Sequence, residues 1–257
     1  MFVTERPGHA RELAKAAVAR GARLVMAWGG DGTINEVASA LVFGEVPLGI
    51  VPAGSGNGLA RQLSISQKPA DAIRHAIGAE PRRIDVGELD DRIFVNVAGV
   101  GFDAHVAWRF NEQGTRRRGL ATYASIAGRA LMMYEPATYT IRTGDDEACP
   151  PVRAVLITVA NSPEFGNGAI IAPGARVDDG VLDLVVMEEL SRFTTVTQLP
   201  RLFQGTVDRA KGCSIRRITR ATIESDHPMI YHVDGEPASG GTSLRVRVHP
   251  AALYVAI

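Results

Sequence analysis

Short apolar runs alternate with helical stripes over the first third of the chain. Residues 24–28 (Leu-Val-Met-Ala-Trp) and 47–52 (Pro-Leu-Gly-Ile-Val-Pro) are continuously apolar and too brief for helices, so they predict buried strands. Ala10, Leu13, Ala14, Ala17 and Val18 recur at helical intervals over 9–20, and Gly21 stops that pattern. Further helices are predicted over 33–41 and 70–78, and residues 1–4 read as the end of another strand. Strand and helix in alternation predict a parallel, three-layer α/β unit. Such sheets gather ligands at the carboxyl ends of their strands.

The texture changes near residue 83. Residues 84–89 and 92–97 read as strands around an Asp90-Asp91 turn, and 98–103 as a small-residue loop. A helix is expected over 121–133. Strands then dominate: 139–142, 152–160, 181–187, 214–218, 221–224, 229–233 and 243–248, interrupted by a helix over 194–204. This order predicts a second, mostly antiparallel β unit. The expected division is 1–84 and 85–257.

Composition narrows the classes. The 257 residues carry 28 basic and 28 acidic side chains, so no bulk attraction to nucleic acid is indicated. Cys149 and Cys213 lack metal-ligand spacing, which suits a reducing cytosol. No apolar run approaches the ~18 residues of a membrane span. The reading is therefore cytoplasmic, and a membrane substrate would be reached from the surface.

Candidate chemistry sits where the strands end. The run at 24–28 stops in Gly29-Gly30-Asp31-Gly32-Thr33, with Glu36 three positions after Thr33 as a capping box would require. Glycines that admit close backbone approach, beside a helix N-terminus, predict a phosphate site. Asp31 would be repulsive there unless a cation or a proton transfer is involved. Gly54-Ser55-Gly56-Asn57-Gly58 closes the second strand in the same way, and two such loops side by side could hold a triphosphate. Neither loop is a Walker A or a G-x-G-x-x-G fingerprint. Plain readings stand beside these. Asp31 could be solvated in a tight turn, and Asp85 an ordinary strand-edge carboxylate. Asp178-Asp179-Gly180 and Asp234-Gly235-Glu236 could be simple turns. His227, His232 and His249 read as surface or loop residues. Arg116, Arg117 and Arg118 form a solvated face or touch anionic lipid heads.

Taken in order, Gly-Gly-Asp-Gly-Thr, Pro52-Ala53-Gly54-Ser55-Gly56-Asn57, Asp178-Asp179-Gly180 and Asp234-Gly235-Glu236 resemble the diacylglycerol kinase catalytic family, which includes bacterial lipid kinases and sphingosine kinases. The resemblance implies a Rossmann-like, NAD-kinase-like N-terminal domain and a C-terminal β-sandwich-like lipid-binding domain. It implies ATP and Mg²⁺, with transfer of the γ-phosphate to diacylglycerol or a related lipid alcohol at the membrane surface. Thr4, Gly30, Asp31, Gly32, Thr33, Ile34, Asn35, Glu36 and Ser55 would line the ATP site. Asp31 would hold catalytic Mg²⁺, Asp85 would support it from the domain junction, and Glu236 would be the general base. Asp179 with the carbonyls of Arg176 and Val181 resembles a structural Mg²⁺ site. Asp103 lies where sphingosine kinases recognise a lipid amine. The family also begins with a strand and an Asn-Pro-x-x-Gly loop ahead of the segment at Met1, which this chain is expected to lack, leaving an exposed apolar edge. The alternatives are a non-catalytic nucleotide- or lipid-binding remnant, a sphingoid-base kinase and an NAD kinase. A homodimer is compatible with all of them.

Overall fold

The computed structural model describes residues 1–112, 130–131, 133–144, 149–166 and 168–257. Most of the helix expected over 121–133, and all three arginines at 116–118, lie outside the described residues. Residues 1–5 form neither helix nor strand, so the expected strand at 1–4 is corrected.

Helix α1 (His9–Ala19) precedes strand β1 (Val25–Gly29), α2 (Asp31–Leu41) and β2 (Leu48–Pro52). β1 and β2 pair in parallel, Val25 opposite Leu48 through Gly29 opposite Pro52, as the alternation predicts. Both strands therefore end at the same level, and each delivers a glycine loop there. Helices α3 (Gly58–Gln62) and α4 (Pro69–Gly78) follow. Ile34, Val37, Leu41, Leu48, Ile50 and Leu59 build the first core.

The second unit begins as β3 (Pro81–Leu89), β4 (Arg92–Phe94) and β5 (Val97–Gly101), leading into α5 (Phe102–Glu112). β5 corrects the loop expected over 98–103. Its glycines suggested a turn, but they answer crowding between strands. A Cβ at Gly99 would stand 2.8 Å from the Ile157 carbonyl, and one at Gly101 2.7 Å from that of Val155. Then come β6 (Ala137–Thr143), β7 (Val152–Ala160), the short pair β8 (Glu164–Gly166) and β9 (Ala169–Ile170), and β10 (Leu182–Glu188). The single helix expected over 194–204 is two, α6 (Arg192–Gln198) and α7 (Pro200–Gln204), because Pro200 cannot donate to the first of them. β11 (Cys213–Ile218), β12 (Arg220–Ser225), β13 (Ile230–Val233), β14 (Glu236–Ser239) and β15 (Ser243–Ala256) complete the chain. In this unit neighbouring strands run antiparallel, and Phe94, Ile157, Leu182, Leu184, Ile223 and Leu244 fill the core between them.

Two strands tie the halves together. β15 pairs with β3 from Val246–Leu89 to Ala256–Pro81, with a register break between His249 and Leu253, and its far end touches β2 at Leu48. Leu244 and Val246 lie in the second core, Leu253 and Val255 in the first. At the break, Ala251 adopts a left-handed φ of 50°. The buried Asp85 holds it there: Oδ1 accepts from Ala251 N at 2.7 Å and Oδ2 from Gly180 N at 2.6 Å.

Candidate active site

The two glycine loops meet backbone to backbone. A Cβ on Gly30 would stand 3.2 Å from the Gly54 Cα, and one on Gly54 only 2.6 Å from the Gly30 Cα. Side chains at either position would wedge the loops apart. Asn57 then fixes the second loop. It sits at a left-handed φ of 53°, its Oδ1 accepts from Gly54 N at 2.8 Å, and its Nδ2 donates to Gly54 O at 3.0 Å.

Asp31 bridges the loops. Its Oδ2 accepts from Asn57 N at 2.9 Å and its Oδ1 from Gly58 N at 2.8 Å. Burial pushes its carboxyl above the ordinary aspartate range, while the Gly58 and Asn57 amides and the charge of Arg61 act against that shift. A cation would favour the ionised form. Three backbone amides, those of Gly58, Asn57 and Asp31 itself, take up three of the carboxylate's roughly four lone-pair directions and leave one open. The Asp31 carboxylate therefore fits a magnesium ion, which takes one or two carboxylates and completes its shell with water and phosphate oxygens.

Helix α2 starts at Asp31 with Gly30 as N-cap and no side-chain cap. The expected Thr33–Glu36 capping box is not formed. Thr33 lies over Gly29, where a Cβ would come within 2.6 Å of it. Glu36 reaches α1 instead, accepting from Gly8 N at 2.7 Å and Ala10 N at 3.0 Å, so it caps the neighbouring helix. The first amide of α2 meets Asp31's own carboxylate, and no N-cap side chain covers the rest of the first turn, an arrangement that suits an anion.

Glu236 arrives from the other unit. Asp234 and Gly235, at φ 48° and 85°, form the two-residue hairpin turn between β13 and β14, and Glu236 is the first residue after it. A Cβ at Gly32 would stand 2.9 Å from Glu236 Oε1, so the glutamate carboxylate lies directly over the first turn of α2. The residue that places it is Asp234. Its carboxylate accepts from Asn35 Nδ2, Val95 N and Asn96 N at 2.8 Å each and from Val97 N at 3.0 Å. Burial pushes the Asp234 carboxyl upward, and these four donors oppose that. One side chain thereby ties the turn to α2 and to the entry of β5. Sequence reading passed over Asp234 because an Asp-Gly turn usually points into solvent.

Of the other expected nucleotide contacts, Gly30, Gly32 and Thr33 lie at the turn and Ser55 is exposed on the second loop. Ile34 is fully buried in the first core, and Asn35 spends its amide on Ile93 O and Asp234. Thr4 is exposed in the irregular N-terminal segment.

Asp103 opens α5 and is buried. Its Oδ2 accepts from Thr158 Oγ1 at 2.9 Å and lies 3.3 Å from His232 Nε2, while Oδ1 takes its own helix's Ala104 N at 2.8 Å. His232 was expected at the surface or in a loop; it is 3% exposed on β13. Its Nδ1 accepts from Gly235 N at 3.3 Å, which leaves Nε2–H to face Asp103. The pair supports the turn that carries Glu236.

The Asp179 loop differs from the Asp31 site. Arg217 pairs with the Asp179 carboxylate, and Val181 N donates to it at 3.3 Å. Arg176 turns out to Asp178 at 3.2 Å. Asp85 spends both oxygens on backbone amides. In this arrangement Arg217 lies beside both Asp179 and Asp183, so a guanidinium meets part of the loop's negative charge. Among the described residues no group of three or more acidic, histidine or cysteine side chains gathers as a metal cage.

Comparison with known proteins identifies the family. Residues 1–89 match the diacylglycerol kinase catalytic domain, and residues 96–257 match the YegS C-terminal NAD kinase β-sandwich-like domain. The chain is 31% identical over 251 residues to a probable YegS-like lipid kinase of Chromohalobacter salexigens, covering 96% of this chain and 78% of that one. It is 29% identical to a diacylglycerol kinase of Mycobacterium tuberculosis, covering 96% and 80%. A solved diacylglycerol kinase from Bacillus anthracis shares the fold at a TM-score of 0.74 and 19% identity, over 99% of this chain and 83% of that one. The chain belongs to the diacylglycerol kinase catalytic-domain family and is a kinase.

Proposed function

We propose that this protein is an ATP-dependent lipid kinase that transfers the γ-phosphate of ATP to the hydroxyl of diacylglycerol or a related lipid alcohol. The observation that carries the reading is the meeting of Glu236 with Gly32, which sets a carboxylate from one unit over the glycine turn and helix N-terminus of the other. The α2 amides and the Gly30–Gly54 contact cradle the phosphates, with Thr33 and Ser55 at the rim. Asp31 would hold Mg²⁺, whose chemistry there would be neutralisation of phosphate charge. Glu236 takes the proton of the attacking hydroxyl, and Asp234 with His232 fixes its position. Asp85 acts on this site through the strand crossing, since its oxygens bond Ala251 and Gly180.

Asp103 favours a glycerolipid over a sphingoid base. Its carboxylate is buried and shared among Thr158, His232 and Ala104, so it offers no open face to a substrate amine. The enzyme works from the cytoplasm and visits the membrane as a peripheral protein. No helix among the described residues is long and apolar enough to cross a membrane.

Labelled ATP, Mg²⁺ and a panel of diacylglycerol, sphingoid base and NAD provide the test. Diacylglycerol is expected to be labelled, and Glu236→Gln to lower the rate by about 100-fold or more, the usual worth of a positioned base. Asp31→Asn should do the same. Labelling of no lipid by the wild-type protein sinks the reading; labelling that survives both substitutions sinks the residue roles alone.

A further inference from the structure

Helices α6 and α7 wear their apolar stripe outward. Phe193, Val196, Leu199 and Phe203 recur at steps of three, three and four, and they are 81%, 46%, 38% and 54% exposed. The half-buried positions between them are mostly polar: Thr194, Thr195, Gln198 and Arg201, with Leu202 packed on a core cluster. A helix on a soluble surface shows the opposite order, since its apolar stripe faces the core. Two large aromatics and two aliphatic side chains in one stripe form a patch rather than scattered exposure.

Within the two helices themselves the charge is of one sign. Residues 191–207 contain Arg192 and Arg201 and no carboxylate. Glu189, just before, is paired with Arg153; Glu188 and Asp208 flank the segment. A groove of ≈ 270 Å³ adjoins α6, bordered by Leu131, Tyr134, Arg192 and Thr195 and by the charged side chains of Glu135, Arg153 and Glu189. Tyr134 stacks edge-on to Phe102 at 5.5 Å, at the start of α5, and α5 packs against β14, the strand that Glu236 begins.

We propose that α6 and α7 form a membrane-docking face, on which Phe193, Val196, Leu199 and Phe203 enter the headgroup–acyl boundary of an anionic bilayer while Arg192 and Arg201 meet its phosphates. This rests on the lipid-kinase reading, because a kinase whose substrate is held in a bilayer has to meet that substrate at the membrane surface. The charge pattern selects the occupant. A bilayer rich in anionic lipid complements two cations beside an apolar stripe. A second copy of the same face would set arginine against arginine.

Sedimentation with sucrose-loaded vesicles of phosphatidylcholine, with and without phosphatidylglycerol, tests the proposal. Phe193→Ser/Phe203→Ser is expected to lower partitioning by about tenfold or more, from two aromatic rings kept in water. Arg192→Gln/Arg201→Gln should weaken binding to the anionic vesicles and leave neutral ones unchanged. Both variants should keep wild-type phosphorylation of a short-chain diacylglycerol dispersed in water. Vesicle binding by the double serine variant equal to wild type overturns the proposal, as does loss of a dimer with vesicle binding unaltered. Wild-type protein that docks through this face yet labels no lipid would overturn the kinase reading and keep the docking face.

Discussion

Single atoms at the glycine loops separate what folds the protein from what makes it work. Gly32 lies in the first turn of α2, so alanine there gains part of the ~1 kcal/mol that separates the two residues in a helix interior. Its new methyl would meet only the movable end of Glu236, at 2.9 Å. Gly32→Ala is therefore expected to keep or raise the melting temperature while cutting turnover by about 100-fold, the cost of misplacing a reacting group by an ångström. Gly54→Ala meets backbone instead, the Gly30 Cα at 2.6 Å. It should lose about 1–3 kcal/mol of stability as well as activity, because overpacked loops must part. Thermal melts beside phosphoryl-transfer rates for the two variants check both. Equal destabilisation would mean that Glu236 is held as rigidly as the backbone.

Pairs of strands carry the next level. On the β3–β15 ladder Glu88 sits opposite Arg247, and its two oxygens lie 2.9 and 3.0 Å from Arg247 Nη2; His249 Nε2 adds a contact at 2.7 Å. Partial burial raises the Glu88 carboxyl, but the bonds to Arg247 and His249 outweigh it and hold the group below the usual carboxylate range. A depressed carboxylate contributes stability that is whole above its unfolded pKa and is lost as pH falls through the folded one. The melting temperature should thus drop in mild acid, and Glu88→Gln should flatten that limb while lowering the neutral plateau slightly. Identical acid limbs in the two proteins would remove Glu88 from the account.

Elements also show what the chain discloses by itself. The parallel half was legible because β1, α2 and β2 each announce themselves by local period and by the glycine that ends them. β5 was not, because Ala98, Gly99 and Gly101 look like a loop until the carbonyls of β7 are seen against them. The capping box failed for a related reason. Glu36 has the right spacing to cap its own helix, and only the tertiary placement of α1 gives it a better partner. At the site, Asp31 and Glu236 were legible through the family resemblance. Asp234 and His232 were hidden, since burial of a turn and of one ring depends on strands far away in sequence.

The whole molecule raises the question of whether its two halves stand or fall together. β15 supplies Leu244 and Val246 to one core and Leu253 and Val255 to the other, and β3 pairs with it on both sides of the break between His249 and Leu253. A strand cannot lose one end's ladder and core contacts without loosening the other, so unfolding should be a single transition. The sequence provides the probes: it has two tryptophans, Trp28 on β1 and Trp108 on α5. Trp28→Phe and Trp108→Phe each leave one reporter, and their denaturant curves are expected to coincide. Leu253→Ala, at a fully buried site in the first core, should cost about 2–5 kcal/mol and move both reporters equally. If only the Trp28 curve shifts, the halves unfold independently, and the Glu236–Gly32 contact would then open without global unfolding. A coupled transition has the opposite consequence for function. Asp234, bonded to Asn35 on α2 and to the amides entering β5, sets Glu236 over α2, so a single transition would keep that carboxylate and the glycine loops together for as long as the protein is folded.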